Sequence, residues 1–181
     1  MRRQVTPADY FAAAMELLAR GGQGSVKQAD LCAALGVTTG SFYGHFANFD
    51  DFVRQLLDHW EATTFELIDA TRFGGTPTER VRRLKQAGAA LPHDAEGAIR
   101  SWARLNPVVA EVQARADTRR TAALYDVVLP IVGPDQAARM TTIGLTLLAG
   151  LHSLHSPVTR EDFDAVFDVF EEQILARTVV G

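Results

Sequence analysis

Residues 26–46 read VKQADLCAALGVTTGSFYGHF, and this stretch decides the fold. Val26 to Leu35 has helical apolar spacing: Val26, Leu31, Ala34 and Leu35 share one side, while Lys27, Gln28 and Asp30 turn outward. Gly36 follows the last periodic residue, where a left-handed helix end favours a residue without a β-carbon. Val37 packs back under that turn, and Thr38 and Thr39 supply hydroxyls to cap a second helix predicted to reach about Phe46. Two short helices joined by a Gly-containing turn are the signature of a helix-turn-helix.

In the second helix Phe42 and Phe46 lie four apart on one face and read as core anchors. Gly40 and Gly44 lie opposite them, although a helix-interior glycine costs about 1 kcal/mol. A short helix carrying both predicts a close approach on that face, because bare backbone admits a phosphate or base edge that a side chain would hold off. Thr39, Ser41, Tyr43 and His45 flank the glycines as a rim of hydrogen-bonding groups suited to phosphates and major-groove base edges. Ser25 is predicted to cap the preceding helix, whose amide end suits a phosphate.

Residues 25–52, SVKQADLCAALGVTTGSFYGHFANFDDF, resemble the amino-terminal DNA-binding domain of TetR-family transcriptional regulators, in which the second motif helix typically ends in a Tyr-x-His-Phe-like run. Gly36, Val37, Gly40, Ser41, Tyr43, Gly44, His45 and Phe46 carry the match. The chain departs from the family at Phe49, where a phosphate-contacting Lys is frequent; Arg54, early in the next helix, is a candidate to replace it. The resemblance implies an all-α fold: a three-helix DNA-binding head over residues 1–47 and a helical ligand-binding and dimerisation domain over 48–181. The residues expected at DNA are Ser25, Val26, Lys27, Thr38, Thr39, Gly40, Ser41, Tyr43, Gly44 and His45.

Composition agrees with a globular chain: 181 residues, 47% hydrophobic, suffice for one large domain or two modest ones. The single cysteine, Cys32, excludes an internal disulfide and a multi-cysteine zinc site, and reads as a small packing residue. No apolar run follows Arg2 and Arg3 as in a signal peptide, and none approaches the ~20 residues of a membrane span, so a soluble, cytoplasmic protein is expected. The net charge of −4 is unevenly spread: residues 1–47 hold four basic and three acidic side chains, a net +1, leaving −5 for the remainder. Acid thus lies away from the reading head, and a dimer doubles the phosphate contacts available to a thin positive charge. Arg2 and Arg3 are candidates for a phosphate-touching arm.

Along the chain, Thr6-Pro7 starts a helix that runs to Gly21-Gly22. Asn48 caps a long helix through Ile68, with Asp50 and Asp51 in its first turn. Helical segments follow from Thr78 through Leu91, around Ile99 and Trp102, from Pro107 to about Leu129 before Pro130, from Gln136 to about His155, and from Thr159 onward. No β-strand alternation, repeat or low-complexity tract is present.

The last two helices read as an association surface. Phe163, Val166, Phe167, Phe170 and Ile174 form an apolar stripe, and the preceding helix carries Leu147, Leu151 and Leu154, with Gly144 and Gly150 permitting close helix approach. A homodimer is expected through Leu147, Leu151, Leu154, Phe163, Phe167, Phe170 and Ile174, an interface the resemblance also implies. Trp60, Phe65, Trp102, Leu105, Tyr125, Met140 and His152 are candidates for lining a cavity for a small apolar or amphipathic effector, and Phe73 is a further one. His152 and His155 lie three apart without a partnering carboxylate or Cys, so no metal is expected; nor is any cofactor. Phosphate loop, metalloprotease and nucleophile-elbow motifs are absent, which argues against an enzyme. The residues and the resemblance together lead to the expectation of a dimeric DNA-binding regulator, a repressor released from a double-stranded operator by a small molecule. The alternative is a helical ligand-binding or adaptor protein of the same fold that has lost DNA binding, favoured by Phe49, the two glycines and the head charge of +1.

Overall fold

A computed structural model of the protein describes residues 4–72 and 74–177, with only the backbone of residue 72. Arg2, Arg3 and Phe73 lie outside the described residues. Nine α-helices follow one another among the described residues: α1 Pro7–Gly21, α2 Gln28–Leu35, α3 Thr39–Tyr43, α4 Phe49–Arg72, α5 Pro77–Ala89, α6 His93–Trp102, α7 Pro107–Val132, α8 Pro134–Leu154 and α9 Arg160–Leu175. A 3-10 turn, Gln23–Ser25, precedes α2, and the described residues include no strand. The all-α expectation holds.

Local chemistry sets the helix starts. Thr6, Thr76 and Thr159 each accept from the backbone N–H three residues on, and Asp9, Glu79 and Asp162 bond back to the capping residue. Asn48 Oδ1 accepts from Asp51 N–H at 2.8 Å, and Asp51 Oδ2 accepts from Ala47 N–H at 3.0 Å. Among the later helices, α5 and α7 depart from expectation. Thr76, rather than Thr78, opens α5. The helix α7 runs through Pro130 to Val132, because Ile131 and Val132 are buried in the core while Pro130 is exposed near the helix end. Burial outweighs the one ladder bond that proline removes.

Contacts divide the chain into two compact units, Met1–Ala62 with Asp94–Gln113, and Thr63–His93 with Ala114–Gly181. The division falls inside α4, later than residue 47, and α6 joins the first unit. There the Trp60 indole N–H donates to the buried Glu96 carboxylate at 2.8 Å, tying α4 to α6. The rest of this unit is built on rings: Tyr10 meets Phe42 and Phe46 edge-on at 5.7 and 5.4 Å, and Phe52 closes on Phe46 at 5.0 Å. Such pairs add about 0.5–1.5 kcal/mol each beyond area burial.

In the second unit Val127, Val128, Ile131, Met140, Phe170 and Ile174 belong to one aliphatic-aromatic cluster. On α5 the Lys85 ammonium bonds to Asp168 and, at 2.8 Å, to Glu171 of α9. Partial burial pulls the Lys85 pKa down, but hydrogen bonds and charges from Asp168 and Glu171 together leave it raised.

Candidate nucleic-acid interface

The turn of the motif forms as the glycine demands. Gly36 adopts φ 63°, ψ 35°, a left-handed conformation costly for any side chain. Its N–H donates to Ala33 O at 3.2 Å and that of Val37 to Cys32 O at 3.0 Å, the two bonds of a Schellman closure. Cys32 is buried, and burial pushes its thiol pKa up, so it packs rather than reacts.

Phe42 and Phe46 are 0% and 1% exposed, which anchors one side of α3 in the aromatic cluster. The regular helix ends at Tyr43, three residues before Phe46, and single turns carry the chain on: Gly44 N–H donates to Gly40 O and Phe46 N–H to Phe42 O. Thr38, Thr39, Gly40, Tyr43 and Gly44 are exposed, with Tyr43 at 55%. The Tyr43 hydroxyl donates to Gln28 Oε1 at 3.3 Å, linking α3 to α2. Half-buried Ser41 accepts from the Tyr10 hydroxyl at 3.2 Å, and the His45 ring lies 5.8 Å from that of Tyr10. Lys27 is exposed at the start of α2. Eight of the ten predicted contact residues therefore gather on α3 and the start of α2: Lys27, Thr38, Thr39, Gly40, Ser41, Tyr43, Gly44 and His45.

Two do not join them. Val26 is 5% exposed and belongs to the core. Ser25 does not cap α2, because its hydroxyl turns inward to donate to Leu17 O at 2.6 Å and Gly22 O at 2.7 Å. Lys27 stands at the cap position instead, and Thr38 makes no side-chain cap bond to α3. Phe49, at the position of the missing Lys, is half-buried with its ring 5.7 Å from Phe52. Arg54 lies 3.6 Å from Asp51 yet keeps a side-chain exposure of 63%, so its charge is partly offset but reachable.

The second unit holds a cavity of about 110 Å³, with Thr64, Ile68, Leu84, Leu148, Phe163 and Phe167 among its lining residues. None of the aromatic or polar candidates named from the sequence lines it. Trp60, Trp102 and Leu105 belong to the first unit, Trp60 engaged with Glu96 and Leu105 74% exposed. Phe65 carries the Arg119 guanidinium over its ring at 5.4 Å, and Arg119 also pairs with Asp69 at 2.6 Å. Tyr125 and Met140 belong with the aliphatic core cluster, and His152 Nε2 lies 3.1 Å from His93 Nδ1. The actual wall is mainly aliphatic and indistinguishable by composition from ordinary core. No group of three or more potential metal ligands occurs among the described residues.

The expected dimer stripe is divided. Phe163, Phe170, Ile174 and Leu151 are at most 8% exposed, inside the unit. Leu147 and Phe167 are half-buried, and Leu154 is 83% exposed. Buried positions follow the same helical stripe as interface positions, so periodicity cannot separate them. A shallow surface groove instead runs between α8 and α9, bordered by Ile143, Leu147, Val166 and Val169. Gly144 does permit close approach, since a β-carbon there would lie 2.6 Å from Leu124 and 2.9 Å from Phe170, whereas Gly150 faces nothing within 4 Å.

Residues 11–56 match the family model of bacterial regulatory proteins, tetR family. No curated protein matches the chain at a significant level. Among solved structures, a transcriptional regulator from Rhodococcus sp. Rha1 superposes with TM-score 0.76 at 20% identity, covering 98% of this chain and 100% of that one. A TetR transcriptional regulator from Legionella pneumophila gives TM-score 0.77 at 14% identity over 98% and 100% of the two chains. An inferred transcriptional regulator from Saccharomonospora viridis, solved in complex with choline, gives TM-score 0.73 at 18% identity over 92% and 95%. The matched family and these neighbours are regulators, not enzymes. No helix among the described residues is long and apolar enough to cross a membrane.

Proposed function

With residues 11–56 belonging to the tetR family of bacterial regulatory proteins, we propose that the chain acts as a homodimeric, cytoplasmic repressor whose grip on a DNA operator is weakened by a small molecule. The observation that carries the reading is the exposed Thr39-Gly40-Tyr43-Gly44 face of α3, held outward by Phe42 and Phe46 in the aromatic cluster. Residues 1–47 serve as the reading head, and each subunit's α3 enters one of two successive major grooves. The cavity of the second unit is the effector site; that a neighbour from Saccharomonospora viridis was solved in complex with choline supports small-molecule binding in general, not this cavity or this ligand. The α8–α9 groove receives the second subunit, and α4 is the covalent path from head to effector site.

Fluorescence anisotropy tests the DNA-binding part, using DNA from upstream of the gene, a scrambled duplex and two salt concentrations. Specific binding is expected to survive moderate salt and to fall about tenfold or more in Tyr43→Ala, in line with ~1–3 kcal/mol for a good base contact. Equal, weak, salt-sensitive binding to both duplexes, repeated with duplexes selected from a random library, would leave the ligand-binding or adaptor reading in its place.

A further inference from the structure

The wall of the cavity in the second unit restricts what can enter it. Apart from Thr64, its hydrogen-bonding side chains are charged: Lys85, Arg120 and Glu171. These charges already face opposite ones. Lys85 bonds to Asp168 and to Glu171, with side-chain exposures of 19% for Lys85, 16% for Glu171 and 56% for Asp168, and Arg120 lies 3.5 Å from Asp117. An incoming carboxylate competes with Asp168 and Glu171 for Lys85 or with Asp117 for Arg120, and an incoming ammonium competes with Lys85 and Arg82 for Glu171. Either exchange gives up an existing ion pair to make a new one, so a charged guest gains no net pairing for the water it loses. An uncharged guest disturbs neither pair. The remaining wall is aliphatic and aromatic, from Ile68 and Leu84 to Leu148 and Phe163.

Size narrows the class further. The volume is about 110 Å³, a little below the ~150 Å³ of an engineered dry cavity that takes benzene. We propose that the effector is uncharged and apolar, about one six-membered ring in size, with at most one hydroxyl or carbonyl directed to Thr64. The proposal rests on the reading of this cavity as the effector site.

Three probes share one ring and differ in charge: toluene, benzoate and benzylammonium. Thermal unfolding of the full chain with each is the test. At a tenfold excess over its Kd, toluene is expected to raise Tm by about 3–6 °C, while the two ions at equal concentration leave it unchanged. Ala87→Leu and Leu148→Phe, which fill the cavity from two helices, should each abolish the toluene shift. The wild-type comparison decides the charge class even if neither filled variant folds. A shift with benzoate or benzylammonium equal to that of toluene, and lost in a filled variant, overturns the uncharged class while leaving the effector site in place. A toluene shift that persists in a folded filled variant overturns the assignment to this cavity. No shift with any of the three overturns both.

Discussion

At Gly40 the protein itself asks for nothing. A β-carbon there would meet only Thr38 Oγ1 at 3.6 Å, an ordinary contact, and the position is exposed. Inside a helix, alanine is favoured over glycine by about 1 kcal/mol. Gly40→Ala should therefore leave Tm unchanged or slightly raised while lowering operator affinity about tenfold or more, if the duplex approaches this face as proposed. Paired thermal unfolding and anisotropy measurements check this, and unchanged affinity would remove the close-approach argument. Tyr43 and Ser41 differ in kind, since their hydroxyls are oriented by Gln28 and Tyr10 respectively. Both are named from the sequence as candidate rim residues. That Ser25 turns inward was not legible, because a serine before a helix looks the same whether it caps that helix or the end of the previous one.

Among the elements, helix starts are held by carboxylates whose pKa values are lowered. The Ala47 backbone N–H, then Gln55, holds Asp51 down; the Thr76 backbone N–H, then the Thr76 hydroxyl, holds Glu79 down; the Thr159 hydroxyl, then its N–H, holds Asp162 down. A depressed folded pKa means the unfolded chain takes up protons first, so the stabilisation is complete above the unfolded value and lost as pH falls through the folded one. Stability should accordingly be level above about pH 5 and decline below about pH 4. Asp51→Asn should give a shallower acid limb, read by chemical denaturation across that range. In α8 two glycines of similar appearance should part company. Gly144→Ala gains about 1 kcal/mol of helix propensity but forces overpacking against Leu124 and Phe170, at about 1–3 kcal/mol, so Tm should fall. Gly150→Ala meets nothing and should raise Tm.

For the whole molecule the question is what covers the α8–α9 groove. Ile143 and Val169 on its border are 43% and 56% exposed, large apolar side chains in water. A second copy related by a twofold axis is the occupant proposed above. Val169→Glu should then shift the chain from dimer to monomer in light scattering without unfolding it; wild-type chain that is monomeric at micromolar concentration would contradict the dimer. Ligand and DNA must also be linked reciprocally, typically by 1–3 kcal/mol, a 5–150-fold change in operator Kd at saturating effector. An effector that binds in the cavity and leaves operator affinity unchanged would break the regulatory reading while sparing both binding sites.

Local signals in this chain were sufficient by themselves for the helix-turn-helix, its Gly36 turn, the Phe42 and Phe46 anchors and most helix starts. Each depends on a few neighbouring residues whose backbone and hydrogen-bonding preferences act within one or two turns. Tertiary structure alone decided which apolar residues become core, cavity wall or open groove. The α9 stripe has one periodicity, yet Phe163 is sealed against Gly88 of α5 while Val166 and Phe167 of the same stripe stay half-buried. The cavity is likewise bounded by aliphatic side chains from segments far apart in sequence. A void is a property of how helices pack around it, and no residue type marks its edge in advance.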